Sequence, residues 1–224
     1  MDGTLIDSAA LVPDAYAAAI IELGGPSLSR ADVIDAYPLG PPAVLLSHFL
    51  GRASRPADVE LYHRHLAARA SAGVRPYPGV PALLSVAGRR MPIAVFTGAS
   101  HVAASILLER AGLFPSLDLV VGGDEVPCPK PAPDGIAEVC RRLGVAATDA
   151  AYVGDAPLDM AAATASGGLA IAAGWGHQHD SSVPADLTFA TPDELRHALT
   201  RARPPCRPTG SSRRPSAPTP APGP

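Results

Sequence analysis

Apolar residues recur at three- and four-residue spacing through much of the first third of the chain. Three segments show this helical periodicity, namely residues 15–23, 44–50 and 59–70. Glycine- and proline-rich stretches at residues 24–26, 38–42 and 51–56 interrupt it, because both residue types break helices. The pattern therefore predicts an all-helical segment of several short helices between residues 11 and 78.

After residue 78 the pattern changes to short apolar runs that alternate with helical segments. Candidate buried strands lie at residues 93–96, 117–121, 150–153 and 169–172, and candidate helices at residues 80–88, 102–111, 134–143 and 158–166. Such alternation is typical of an α/β fold with a doubly wound parallel sheet. We expect a core of residues 1–10 and 79–202, with residues 11–78 inserted as an α-helical cap.

The last 22 residues differ from the rest in composition. Residues 203–224 contain eight prolines, four arginines and no acidic residue. A segment with so little apolar surface cannot offset the entropy lost on ordering. We therefore expect a disordered, proline-rich tail.

Charge and cysteine content narrow the classes of function. A formal net charge of −3 argues against nucleic acid or an anionic membrane as the main partner, because both require a concentrated basic surface. The three cysteines, Cys128, Cys140 and Cys206, show neither a zinc-site spacing nor an even count. With no membrane span or signal peptide in the pattern, we expect a cytoplasmic protein with free thiols, either a monomer or a homodimer.

Short polar clusters stand at the start of the chain and after three of the predicted strands. They are Asp2-Gly3-Thr4, Thr97-Gly98, Lys130-Pro131, and Gly154-Asp155 with Asp159. The carboxyl ends of strands in a doubly wound sheet form the edge where ligands bind. Lys130 is the only lysine among 18 basic residues, which indicates that this position needs a compact point charge rather than a planar guanidinium.

In this order the clusters resemble the motifs of the haloacid dehalogenase superfamily. That family's pattern is DxDGT, an apolar strand ending in Thr or Ser, a lysine, and GDxxxD; this chain reads MDGTLIDS, IAVFTG, CPKPAPDG and VGDAPLDM. The resemblance covers residues 1 to 199 and is closest to the phosphoglycolate phosphatase-like subgroup. It implies a Rossmann-like core and Mg²⁺-dependent hydrolysis of a small, phosphoglycolate-like phosphomonoester through an aspartyl-phosphate.

The resemblance also implies roles for individual residues. Asp2 would be the general acid and base, which protonates the leaving alcohol and then activates water. Thr97 would donate its hydroxyl to a phosphate oxygen, together with the main-chain N–H groups of Gly98 and Ala99. Lys130 would contact the nucleophile and the phosphate at once. The second aspartate of the motif favours phosphate esters over haloacids.

A magnesium site and a cap loop complete the implied constellation. Asp155, a main-chain carbonyl near Asp2 and the nucleophile would supply the hard oxygen ligands that Mg²⁺ prefers. Asp159 lies one helical turn further on and would be a direct ligand or a supporting partner. Gly40, in the segment Leu39-Gly40-Pro41-Pro42, would contact the substrate as part of a specificity loop; the same segment also fits a proline-stiffened turn.

One residue of the DxDGT pattern is missing from this chain. The attacking aspartate stands two residues before Asp2, which is directly before Met1. We expect that residue, and the apolar strand that carries it in the middle of the sheet, to lie upstream. The chain from Met1 is then expected to lack phosphatase activity, and addition of an Asp-containing strand is expected to restore it.

Two other functions fit the same motifs. A sugar phosphomutase resembling β-phosphoglucomutase shares every core motif, and only the cap residues would separate it from a phosphatase. A non-catalytic relative would use the phosphate pocket for binding, but it would have little reason to keep Asp2, Lys130, Asp155 and Asp159 together.

Overall fold

A computed structural model describes residues 1–201, and its first part is a helical insert closed by two short strands. Between strands β1 (Ile6–Asp7) and β2 (Arg75–Pro76) lie helices α1 (Leu11–Glu22), α2 (Arg30–Asp35), α3 (Pro42–Leu50) and α4 (Pro56–Gly73). The two strands pair antiparallel, with Ile6 opposite Pro76. The entry and the exit of the insert therefore lie side by side, while apolar side chains such as Ile20, Leu46 and Leu66 are fully buried in its interior.

The rest of the described chain alternates helices with parallel strands. In chain order it contains α5 (Val80–Ala87), β3 (Ala94–Phe96), α6 (His101–Arg110), β4 (Leu119–Val121), α7 (Asp134–Leu143), β5 (Ala151–Gly154), α8 (Pro157–Ser166), β6 (Leu169–Ala173), β7 (Leu187–Phe189) and α9 (Pro192–Arg201). Strand β3 pairs with β4, and β5, β6 and β7 pair in that order, all parallel. The predicted α/β class is confirmed.

Within residues 1–201 the parallel strands form two separate groups rather than one continuous sheet. One group is β3 with β4 and the other is β5, β6 and β7. Aromatic side chains connect them: the Tyr152 hydroxyl on β5 donates to the carbonyl oxygen of Phe96 on β3 at 3.0 Å, and the two rings lie 6.3 Å apart. A side-chain hydrogen bond therefore connects β3 to β5.

The predicted helices and strands are correct to within a few residues, and five labelled elements were not predicted: the two-residue strands β1 and β2, and also α2, β7 and α9. Helix α2 has six residues and buries only Val33, so it shows no apolar periodicity; its start depends on the reciprocal hydrogen bonds of Ser29 and Asp32. Strand β7 has three residues. Helix α9 is mostly polar and buries only Pro192 and Leu195. Short or polar elements of this kind carry too few apolar positions to be detected by periodicity.

Three expectations concern features away from the core. The expected disordered tail, residues 203–224, lies outside the described residues. Among the described residues Cys128 and Cys140 are free thiols, the first exposed and the second buried. No helix in residues 1–201 is both long enough and apolar enough to span a membrane.

Candidate active site

One cavity brings together all eight residues that the sequence singled out. It has a volume of about 110 Å³, small beside the roughly 300–1,000 Å³ of pockets for drug-sized ligands. Residues from the core and from the helical insert line it, among them Asp2, Gly40, Thr97, Gly98, Ala99, Lys130, Asp155 and Asp159. Five segments far apart in the sequence, one of them from the insert, therefore meet near the ends of β3 and β5.

The first six residues form a tight loop that packs against the Asp155 carboxylate. The N–H groups of Thr4 and Leu5 donate to the Met1 carbonyl oxygen at 3.2 and 2.8 Å. Gly3 has a φ of 71°, and a Cβ at this position would overlap the carboxylate of Asp155. Only glycine tolerates both the left-handed backbone and this close approach.

Asp155 is a buried carboxylate whose hydrogen-bond partners are all neutral. Its Oδ1 accepts from the Thr4 hydroxyl at 2.9 Å, and its Oδ2 accepts from the N–H of Gln178 at 3.1 Å. Trp175 holds the loop from the other side, because its Nε1 donates to the Thr4 carbonyl oxygen at 2.8 Å. Burial raises the pKa of Asp155, although the α-amino group of Met1 acts in the opposite direction.

These properties of Asp155 fit a divalent cation. A buried carboxylate with a raised pKa carries negative charge that its surroundings do not fully compensate, and a hard cation would compensate it. Within residues 1–201, no three His, Cys, Asp or Glu side chains cluster closely enough to hold a metal. A cation here would also need main-chain, water or phosphate oxygens, which is how Mg²⁺ commonly binds.

Asp159 faces Lys130 and forms a buried ion pair with it. The Lys130 Nζ donates to Asp159 Oδ1 at 2.5 Å, and the two side chains are 16% and 6% exposed. The other carboxylate oxygen, Oδ2, accepts from the N–H of Ala156 at 3.0 Å. Burial alone lowers the pKa of Lys130, but Asp159 and Tyr152 outweigh it and hold that pKa above its ordinary value. Burial raises the pKa of Asp159, but Lys130 reverses the sign, so the group stays ionised.

The segment after β3 offers hydrogen-bond donors at the start of helix α6. The Thr97 side chain is buried. The main-chain N–H of Thr97 donates to the carbonyl oxygen of Val121 on β4 at 3.1 Å. The N–H of Ala99 donates to the Thr97 hydroxyl oxygen at 3.3 Å. A bound phosphate oxygen would replace this long internal bond. Ser100 caps α6 by accepting from the N–H of Ala103 at 3.2 Å.

Asp2 lines the cavity with a fixed carboxylate. Its Oδ1 accepts a hydrogen bond from the Ser8 hydroxyl at 2.7 Å. Gly40, the residue predicted in the cap loop, lies on the same cavity and has a φ of 131°. Core and insert thus face each other across one space, where a small ligand would contact both.

Several residues of the site were not predicted from the sequence. Tyr152 donates to Asp159 Oδ1 at 3.3 Å as well as to Phe96, but in the sequence it is only one apolar residue of a predicted strand. Tyr16 and Tyr62 occupy positions that helical periodicity assigns to the interior of the insert, and their rings stack at 4.0 Å beside the cavity. Gln178 acts through its main chain, which residue identity cannot reveal.

Comparison with known proteins gives the same family that the motifs indicate. Residues 1–167 match the family described as haloacid dehalogenase-like hydrolase. The phosphoglycolate phosphatase of Chromobacterium violaceum is 32% identical over 207 residues, which cover 87% of this chain and 91% of that protein. The phosphoglycolate phosphatase of Neisseria gonorrhoeae is 32% identical over 211 residues, with 89% and 87% covered.

Solved structures show the same fold. The crystal structure of CbbY from Rhodobacter sphaeroides in complex with phosphate superposes with a TM-score of 0.77 at 22% identity and covers 87% of this chain and 93% of that one. A hydrolase from Pseudomonas syringae gives a TM-score of 0.69 at 22% identity, with 90% and 96% covered. With the family match across most of its length, this chain belongs to the haloacid dehalogenase-like hydrolase family.

Proposed function

We propose that this protein is a magnesium-dependent phosphatase that hydrolyses a small phosphomonoester. The observation that carries the proposal is one cavity lined by carboxylates, a hydroxyl, helix N-terminal N–H groups and the only lysine of the chain. A dianionic phosphoryl group needs this combination, because positive charge and donors must surround its oxygens while an acid serves the leaving group. The relatives' names make phosphoglycolate the first substrate to test.

In this proposal Thr97 and Lys130 bind and orient the phosphoryl group. The buried Thr97 hydroxyl and the N–H groups of Gly98 and Ala99 donate to its oxygens. Lys130 adds a permanent positive charge, since Asp159 keeps the ammonium protonated and aimed into the cavity. We propose that Asp159 acts through Lys130 rather than as a direct metal ligand, because the Lys130 ammonium already neutralises its charge, whereas Asp155 accepts only from neutral donors.

Asp2 is proposed as the group that moves protons. Its carboxyl, held by Ser8, would protonate the leaving alcohol and then take a proton from the water that hydrolyses the aspartyl-phosphate. The attacking carboxylate belongs at the position directly before Met1 in the family pattern. Magnesium, when bound by Asp155 and a main-chain oxygen near Asp2, would neutralise charge on the phosphoryl oxygens.

The test is phosphate release from phosphoglycolate by a chain that carries an aspartate-bearing strand before Met1, with and without Mg²⁺. Asp2→Asn is expected to lower kcat by roughly 10²–10⁴, whereas Asp7→Asn, an exposed aspartate on β1, serves as the matched control. An Asp2→Asn variant as fast as the parent, or an activity that survives chelation of the metal, would overturn the proposal. Isomerisation of a sugar phosphate without net phosphate release would instead identify a mutase.

A further inference from the structure

The cap side of the cavity consists of phenol rings and apolar side chains. We call this surface the phenolic wall; it comprises Val12, Tyr16, Tyr37, Leu45 and Tyr62, all of which line the cavity. The Tyr16 and Tyr62 rings stack at 4.0 Å and are almost fully buried. Tyr37 belongs to the short turn Tyr37–Leu39 directly before Gly40. The leaving group of a phosphate ester held by Thr97 and Lys130 would face this wall.

The phenolic wall offers hydroxyl groups but no charge. Burial raises the pKa of Tyr16 and Tyr62 well above the ordinary value for a phenol. Burial also raises the pKa of Tyr37, and the negative charge of Asp2 adds to the effect. All three phenols therefore stay neutral at physiological pH.

Cations near the cap are committed to other partners. Among the described residues that line the cavity, the basic groups are the Lys130 ammonium, which is paired with Asp159, and the α-amino group of Met1, which belongs to the core side and acts on Asp155 and Asp159. Four arginines of the insert have partners away from the cavity: Arg30 binds Asp14, Arg52 and Arg55 bind Asp58, and Arg69 contacts His65. The other two, Arg64 and Arg75, do not line the cavity. No cation on the cap side thus remains among these residues to pair with an acidic leaving group.

The cavity is also formally negative. Its lining contains three carboxylates, Asp2, Asp155 and Asp159, against two positive groups, the Lys130 ammonium and the α-amino group of Met1, which leaves a net charge of −1. A phosphoryl group adds about two further negative charges, which one Mg²⁺ balances. A carboxylate on the leaving group would lose its hydration here with no cation in exchange, which is strongly unfavourable.

We infer that the preferred substrate is the phosphate ester of a small neutral, hydroxyl-bearing alcohol rather than of a carboxylate-bearing one such as glycolate. This inference rests on the proposed function and specifies its leaving group. The phenolic wall contacts the carbon skeleton through ring faces and apolar side chains, and its hydroxyls hydrogen-bond the substrate hydroxyl. Tyr37, on the turn beside Gly40, is the specificity-determining residue.

The experiment is calorimetric binding to the chain as it stands, in the presence of Mg²⁺, with three probes. The probes are inorganic phosphate, 2-phosphoglycolate and 2-hydroxyethyl phosphate, the last two differing only by a carboxylate in place of a hydroxymethyl group. We expect 2-hydroxyethyl phosphate to bind with a Kd lower by about tenfold or more. Tyr37→Arg should reverse that ratio, while Leu39→Arg, which places the same charge on the exposed side of the same turn, should leave it unchanged.

The outcomes separate this inference from the proposed function. If inorganic phosphate binds and 2-phosphoglycolate binds as tightly as the neutral ester or more tightly, the inference is wrong and the phosphatase proposal stands. If inorganic phosphate and both esters fail to bind, the inference is wrong, and phosphate release by the extended chain decides the phosphatase proposal separately. If Tyr37→Arg does not fold, the ratio of the two Kd values measured on the unmodified chain still tests the inferred preference for a neutral ester.

Discussion

The ion pair between Lys130 and Asp159 gives a quantitative test of the site. Replacement of Asp159 by asparagine keeps the shape of the side chain and an acceptor for the N–H of Ala156, but removes the charge opposite the ammonium. The two side chains are only 16% and 6% exposed, so solvent screens the pair weakly. Loss of one partner of a buried pair costs about 3–5 kcal/mol, and because Asn retains an acceptor we expect about 3 kcal/mol, the lower end of that range.

Urea unfolding of the chain measures this change. With an m-value of about 2 kcal/mol/M, a loss of about 3 kcal/mol moves the midpoint by roughly 1.5 M. Addition of Lys130→Met to Asp159→Asn should recover part of the loss, since the uncompensated charge is then absent. Asp193→Asn removes an exposed carboxylate that pairs with Arg196 and is the control. Equal midpoints for the Asp159 and Asp193 variants, or a double variant that loses the sum of both single changes, would refute the reasoning.

The same pair predicts how stability depends on pH. The pKa of Asp159 is lowered on folding, so its contribution is present above the unfolded value of about 3.9 and is lost as pH falls through the folded value. The pKa of Lys130 is raised, so its contribution is present below about 10.4 and is lost as pH rises through the folded value. The stability difference between the parent and Asp159→Asn should therefore be constant from about pH 5 to 9 and shrink below about pH 4. A difference that is unchanged at pH 3 would contradict the assigned charge.

Two further substitutions test how the N-terminal loop is held. Gly3→Ala should destabilise the chain by more than Gly112→Ala. Both positions have a positive φ, which costs alanine about 1–2 kcal/mol, but only at Gly3 would the new Cβ also overlap Asp155. Equal unfolding midpoints for the two variants would rule out the clash. Trp175→Phe removes the donor to the Thr4 carbonyl oxygen and should lower the free energy of unfolding by about 1 kcal/mol. The same unfolding assay measures this loss, and an unchanged midpoint would mean that water replaces the indole donor.

Much of the fold follows from local sequence pattern. Apolar periodicity indicated helices α1, α3 and α4 of the insert and the alternation of helices and strands after it. A helix or strand that buries one face has apolar residues at regular spacing, and this spacing is visible within the sequence of that one segment. Motif order likewise singled out Asp2, Thr97, Lys130 and Asp155, which line one cavity in the structure. Short elements such as α2 were missed, because they are held by capping and tertiary contact rather than by an apolar face.

Which side chains become partners was decided by the tertiary structure alone. The sequence offered Asp155 and Asp159 as similar carboxylates four positions apart, yet packing pairs Asp159 with Lys130, 29 residues away, and joins Asp155 to Thr4, 151 residues away. The sequence could not predict these pairings because they depend on how strands and helices pack in three dimensions. The phenolic wall has the same origin, since helical periodicity marks Tyr16 and Tyr62 only as buried and the fold alone places them at the cavity.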